Sequence, residues 1–205
     1  MKQIIRSHKG LYFLIPYAFL VIFFGLNNSA LQVDEGADTF VSSTILKNSF
    51  PYHHDGINTT MEYAKVRDDG LFLYRTWVPF YLQAGSLFIF GKTTFSARMP
   101  FALIGVMSSV VLYFFTLKLT KKKSIAFLAT LFLISSVPAI IYFRTARYVG
   151  LPILLTILLL YSYINIFDKK KMEPLAYHYS FSHIFSHHVR SLCRSDTWCN
   201  SSFLH

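Results

Sequence analysis

Charge is scarce in this chain. Only 15% of its 205 residues are charged, where soluble domains carry about 25%. The shortage leaves long uncharged windows, which excludes an ordinary soluble domain. Apolar runs cover residues 11–26, 99–119, 124–143 and 149–167, and none of the last three has an ionisable residue in its central part. Runs of roughly 20 apolar residues read as transmembrane helices. Cysteine is also rare: Cys193 and Cys199 both lie in the C-terminal tail. Acids are absent from most of the chain. Asp34, Glu35, Asp38, Asp55, Glu62, Asp68 and Asp69 share one polar segment, and only Asp168, Glu173 and Asp196 lie elsewhere.

What charge there is carries a net +10. A nucleic-acid partner does not follow from it, because the basic residues do not form a soluble face. They cluster at Lys2, Arg6 and Lys9, at Lys118 with Lys121, Lys122 and Lys123, and at Lys169, Lys170 and Lys171. These are flanks of apolar runs, and the positive-inside rule accounts for them. Placing all three clusters in the cytoplasm yields one topology. Residues 27–97 then lie outside, the second span returns, and the last two spans form a hairpin with Arg144 and Arg147 outside. Residues 78–90 are apolar but number only thirteen. At about 1.5 Å per residue they reach roughly 20 Å against a hydrocarbon core of about 30 Å. They read as an interfacial or re-entrant helix, with a short true span as the alternative. Residues 11–26 read as an uncleaved anchor rather than a signal peptide, because the run exceeds the usual h-region.

The external segment is about 70 residues long, which is long for an idle connection. Within it Ala37, Phe40, Val41, Thr44 and Ile45 recur at helical spacing. That predicts an amphipathic helix on the membrane face, ended by Phe50-Pro51-Tyr52. Gly56, Asn58 and Gly70 mark turns. His53-His54-Asp55 lacks a third metal ligand at a useful spacing and reads as polar loop. Tyr74, Trp77 and Tyr81 read as interfacial aromatics, with stacking on a sugar ring as the sharper alternative.

From Met172 the apolar pattern stops and histidines gather. Zinc ligation by His183, His187, Cys193 and Cys199 matches no standard spacing. A disulfide is not expected in a cytoplasmic, reducing tail. The preferred reading is a tail from another reading frame.

These residues resemble a known family. Asp34-Glu35 after the first span looks like the acidic motif of GT-C membrane glycosyltransferases of glycosyltransferase family 39, which include the protein O-mannosyltransferases and bacterial aminoarabinose transferases. Residues 79–119, PFYLQAGSLFIFGKTTFSARMPFALIGVMSSVVLYFFTLKL, resemble the family's more specific block, in which a helix ending in Phe90-Gly91 leads to Ala97-Arg98-Met99-Pro100 opening a span. Residues 144–163, RTARYVGLPILLTILLLYSY, resemble its Arg-bearing turn into a fourth span. The chain departs from the family at Asp38, where an aromatic is frequent, at Arg75-Thr76-Trp77-Val78-Pro79, which keeps one proline of a Lys-Pro-Pro, and at Tyr148-Val149, where an acid is frequent.

The expected fold is an all-α membrane protein, with about four transmembrane helices plus interfacial helices in a long first external loop. This amounts to a partial GT-C fold over residues 1–171, with 172–205 as an atypical tail. The resemblance implies transfer of a sugar from a polyprenyl-phosphate-sugar donor to a protein, lipid or glycan acceptor at the outer face of the cell (inner) membrane, impaired by truncation. Asp34 is then the expected base and Glu35 its supporting carboxylate, with Arg98, Arg144 and Arg147 on the donor phosphate. No cofactor is required with certainty, and a divalent metal stays open. The competing readings are an inactive membrane fragment or assembly subunit, and a transporter piece. Transport is disfavoured because Pro138 and Pro152 sit near the outer ends of their spans and no charge lies mid-span.

Overall fold

The structure, a computed structural model, describes residues 9–60, 70–73 and 75–167. These form seven helices: α1 (Lys9–Phe23), α2 (Val33–Asn48), α3 (Val78–Phe90), α4 (Thr94–Thr120), α5 (Lys123–Ser135), α6 (Val137–Arg144) and α7 (Gly150–Phe167). Among the described residues the β structure is limited to two isolated bridges, Tyr52 with Leu71 and His54 with Thr59. The fold is therefore all-α and of membrane type. The chain divides into two units, Met1–Leu160 and Tyr161–His205. Of the second, the structure describes only the end of α7, where Asn165 Nδ2 donates to the Tyr161 carbonyl at 2.9 Å. The tail's cysteines, with His183 and His187, lie outside the described residues.

Helix α4 organises the first unit, with α1, α3, α5 and α6 all packed on it. Its 27 residues make it the one described helix long and apolar enough to cross a membrane alone. The third expected span is broken. Helices α5 and α6 pass the same test only as a pair, bent by 63°. Ser136 is extended, with φ −71° and ψ 120°, and Pro138 has no N–H to continue the α5 ladder, so α6 starts afresh with proline in its first turn. The first and last expected spans are shorter apolar helices, with apolar stretches over Gly10–Phe23 and Gly150–Ile166. Helix α1 stops before the end of its apolar run because Gly25 adopts φ 67°, and the chain continues through successive turns to Asn28.

Leu14, Ala18 and Ile22 recur every turn on α1 and bury against Ala102 and Val106 of α4, Ala126 and Ile134 of α5, and Phe143 of α6. Small residues let these helices approach closely. At Gly105 a Cβ would lie only 2.6 Å from Phe143 Cγ. The start of α1 sits beside the start of α5, with the Phe13 and Phe127 rings 6.3 Å apart. The other ends of α1 and α6, with the start of α4, meet at the opposite end of the unit, where the acids lie.

Helix α3 has the bounds expected from the apolar pattern, 78–90. It is wedged between α2 and α4 through Gln83, which is 1% exposed. Gln83 Oε1 accepts from Ser42 at 2.6 Å, and its Nε2 donates to Thr39 Oγ1 at 2.8 Å and to the Ala97 carbonyl at 3.1 Å. The far side of α3 leaves Val78, Phe88, Ile89 and Phe90 exposed. Helix α2 buries three of the five residues its apolar spacing picked out, Val41, Thr44 and Ile45, on a face rotated toward Glu35 and Asp38. It buries Glu35, Asp38, Val41, Ser42, Thr44 and Ile45, while Ala37 and Phe40 are only half-buried. The rotation follows from the arginines that reach Glu35 and Asp38 from elsewhere in the chain.

Candidate active site

The site begins with the first turn of α2. Gln32 is extended, with φ −66° and ψ 163°, and its N–H donates to Glu35 Oε2 at 2.9 Å. A carboxylate three residues into a helix closes back on the capping residue in this way, and acids in a first turn suit the helix dipole. Asp34 and Glu35, adjacent in sequence, consequently point in different directions. Glu35 is fully buried, while the Asp34 side chain is 54% exposed.

Glu35 accepts four hydrogens. Oε1 takes Arg98 Nε at 3.0 Å and the Ala146 N–H at 2.6 Å. Oε2 takes Arg98 Nη2 at 2.8 Å and the Gln32 N–H. One carboxylate thus fastens α2, the start of α4 and the turn between α6 and α7. Burial by itself pushes this carboxyl up, but the Arg98 hydrogen bonds, the Gln32 and Ala146 N–H groups and the Arg98 charge outweigh it. The net value lies below the ordinary 4.5.

Arg98 was expected on the donor phosphate. Its Nη1 donates to the carbonyls of Leu26 at 3.0 Å and Ser29 at 3.1 Å and meets Ser29 Oγ, while Nη2 also reaches the Ala30 carbonyl at 3.0 Å. A guanidinium has five N–H groups, and in Arg98 all are engaged within the chain. Arg98 holds the α1–α2 connection and Glu35 together.

Arg147 meets Asp34 instead. Its Nη1 lies 2.8 Å from Asp34 Oδ2, with the Arg147 side chain 30% exposed. Its Nε is shielded from solvent and has no hydrogen-bond partner among the described residues. Arg144 stands apart on the α1 side, where among the described residues it makes a long 3.4 Å contact to the Val21 carbonyl. One turn beyond Asp34, the buried Asp38 pairs with Arg75, and the Arg75 guanidinium lies 5.4 Å from the centre of the Tyr148 ring. Asp38, Arg75 and Tyr148 were not among the expected site residues. The signal for Asp38 was its position four residues after Asp34 on a helix; no local pattern pointed to its partner. Two open grooves of about 580 and 450 Å³ flank the start of α7 and share Tyr148, Pro152 and Thr156.

The remaining polar candidates serve the loop. His53 Nδ1 pairs with the Gly70 carbonyl at 2.8 Å. Asp55 Oδ1 accepts the N–H groups of Asn58 at 2.7 Å and Ile57 at 3.0 Å, which lower its carboxyl below the usual range. Trp77 Nε1 donates to the Phe72 carbonyl and Tyr81 to the Ser49 carbonyl, both at 2.8 Å. Tyr74 lies outside the described residues. Among the described residues no three His, Cys, Asp or Glu side chains gather as a metal would require, and arginines take up both carboxylates of the Asp34-Glu35 pair.

The profile of the dolichyl-phosphate-mannose-protein mannosyltransferase family matches residues 75–181, just over half of the chain. The chain belongs to that family, whose members are glycosyltransferases of the GT-C type. The matched segment contains Arg75, Arg98, Arg144 and Arg147 but starts after Asp34, Glu35 and Asp38, and it runs past Met172. No curated protein and no solved structure matches the chain.

Proposed function

We propose that this chain takes part in moving a sugar from a polyprenyl-phosphate carrier to an acceptor hydroxyl at the non-cytoplasmic face of the cell membrane. The observation that carries the reading is the convergence of Asp34, Glu35, Arg98 and Arg147 at one end of the helices, within a member of a mannosyltransferase family. The basic clusters support placing that end outside.

In this reading Asp34 is the base. The acceptor O–H gives its proton to the Asp34 carboxylate as its oxygen bonds to the sugar C1. The bond from C1 to the phosphate oxygen breaks, and the polyprenyl phosphate leaves with the electron pair. The leaving group gains negative charge, which cations stabilise. Arg147 and Arg144 take that part, since Arg98 has no hydrogen to spare. Glu35 and Arg98 position the machinery: the Ala146 N–H held by Glu35 sets the turn from which Arg147 reaches Asp34.

The test is labelled-sugar transfer in membranes containing the chain. Polyprenyl-phosphate mannose should support transfer, and a nucleotide-linked mannose in membranes lacking the lipid carrier should not.

A further inference from the structure

We propose that Arg147 is an exchange ligand, which leaves Asp34 for the phosphate of the lipid-linked donor, so that the carboxylate is released only when the donor is in place. The proposal rests on the donor reading above and adds an order to it. Three features of the site carry it.

The Asp34–Arg147 pair lies at the open surface, with side chains 54% and 30% exposed. Exposed ion pairs are weak, so a better anion can displace the carboxylate. Arg147 is also incompletely satisfied where it stands. Its Nε–H is shielded from water and donates to nothing among the described residues, although buried donors are nearly always paired. A phosphate can take two guanidinium hydrogens in a bidentate fork, and one that engaged Nε–H would supply the missing acceptor. Finally, the backbone beside Arg147 is fixed. Ala146 is fully buried and its N–H is held by Glu35. The exchange therefore needs only a swing of the Arg147 side chain, with the turn in place.

The contrast with Arg98 is instructive. The two arginines face adjacent acids of one helix, but Arg98 is buried and fully bonded while Arg147 is neither. One holds the site together, and the other is free to change partners.

The exchange predicts a competition that equilibrium binding can read. The probe is farnesyl phosphate, with farnesol and inorganic phosphate as separate arms, titrated against the purified 205-residue chain in detergent. Asp34→Asn removes the competitor and should tighten farnesyl phosphate binding by about 3- to 10-fold. Arg147→Ala should weaken it by about 10-fold through loss of charge-assisted contacts. In the Arg147→Ala background, Asp34→Asn should change affinity less than about 2-fold, because Asp34 competes only through Arg147. Arg147→Lys should keep the Asp34 effect in part, and unchanged melting of each variant excludes misfolding as the cause. Farnesol should bind without any dependence on Asp34. Inorganic phosphate should show the same coupling at lower affinity; phosphate binding as tightly as farnesyl phosphate would overturn the assignment to a lipid-linked donor. Equal tightening by Asp34→Asn in both backgrounds would mean simple repulsion and would overturn the exchange while leaving the donor reading intact. No binding of farnesyl phosphate to any of the forms would overturn the donor reading and the exchange together.

Discussion

Glu35→Gln should destabilise the protein strongly while hardly changing the size of the side chain. Each oxygen of Glu35 accepts two hydrogens. Glutamine has one acceptor oxygen, so whichever way the amide turns, its NH₂ group faces two of the four donors. The Arg98 guanidinium, 6% exposed, then loses its counter-charge in a buried place. Removing one partner of a buried ion pair typically costs about 3–5 kcal/mol. Denaturation by SDS in mixed micelles, followed in a Trp198→Phe background by the fluorescence of Trp77 in the α2–α3 cluster, measures the change. Replacing both partners, as Glu35→Leu with Arg98→Met, should cost less than either single substitution, because no charge is then stranded. The pH dependence has a fixed sign. Glu35 has a folded value below its ordinary 4.5, so its contribution is present above that pH and is lost as pH falls from there through the lowered folded value. Glu35→Gln should remove that acid slope. A loss below about 1 kcal/mol, the net worth of a single ordinary hydrogen bond, would refute the claim that this carboxylate fastens three elements.

Other outcomes follow from the same geometry. Gly105→Ala places a methyl 2.6 Å from Phe143 Cγ and 2.7 Å from its Cβ, too near the backbone for a rotamer change to relieve. It should cost about 1–3 kcal/mol as overpacking, and in the micelle assay it should cost less in a Phe143→Ala background than in the wild-type chain, because the clash is then gone. Gln83→Leu removes the three hydrogen bonds that one buried amide makes to Thr39, Ser42 and the Ala97 carbonyl, and the expected loss is about 1–3 kcal/mol in total, because Ser42 keeps its bond to the Asp38 carbonyl. A single cysteine at position 55 should react with an impermeant reagent from outside, and one at position 122 only from inside; the reverse pattern would remove the proposed site from the outer face.

The helical content and the bounds of α3 were legible in the apolar runs and their breaks. Legibility failed where a local feature or a distant partner decided the outcome. The run at residues 11–26 is uniformly apolar, yet Gly25 adopts a left-handed conformation and α1 ends at Phe23. Residues 124–143 read as one span, and Ser136 with Pro138 breaks it. On α2 the apolar spacing picked out Val41, Thr44 and Ile45, which are buried, but the buried face turns away from Ala37 and Phe40 to include Glu35 and Asp38, whose arginines come from positions 98 and 75. Local periodicity does not encode such partners. Asp34 and Glu35 could be singled out as a pair, but their division into an exposed and a buried acid depends on the turn at Ala146, more than a hundred residues away. Arg98 was legible as important, and its role was not: the carbonyls that absorb its hydrogens belong to an irregular segment with no periodic signal.

The central claim is that Asp34 accepts the acceptor's proton at this end of the helices. The most direct measurement is the rate of sugar transfer from polyprenyl-phosphate mannose by wild type, Asp34→Asn and Asp34→Glu in parallel membranes, with insertion and amount matched. General-base catalysis contributes about 10²–10⁴-fold. Asp34→Asn should therefore lose about that much turnover while still binding farnesyl phosphate, and Asp34→Glu should keep part of the rate. Full transfer by Asp34→Asn would contradict the account.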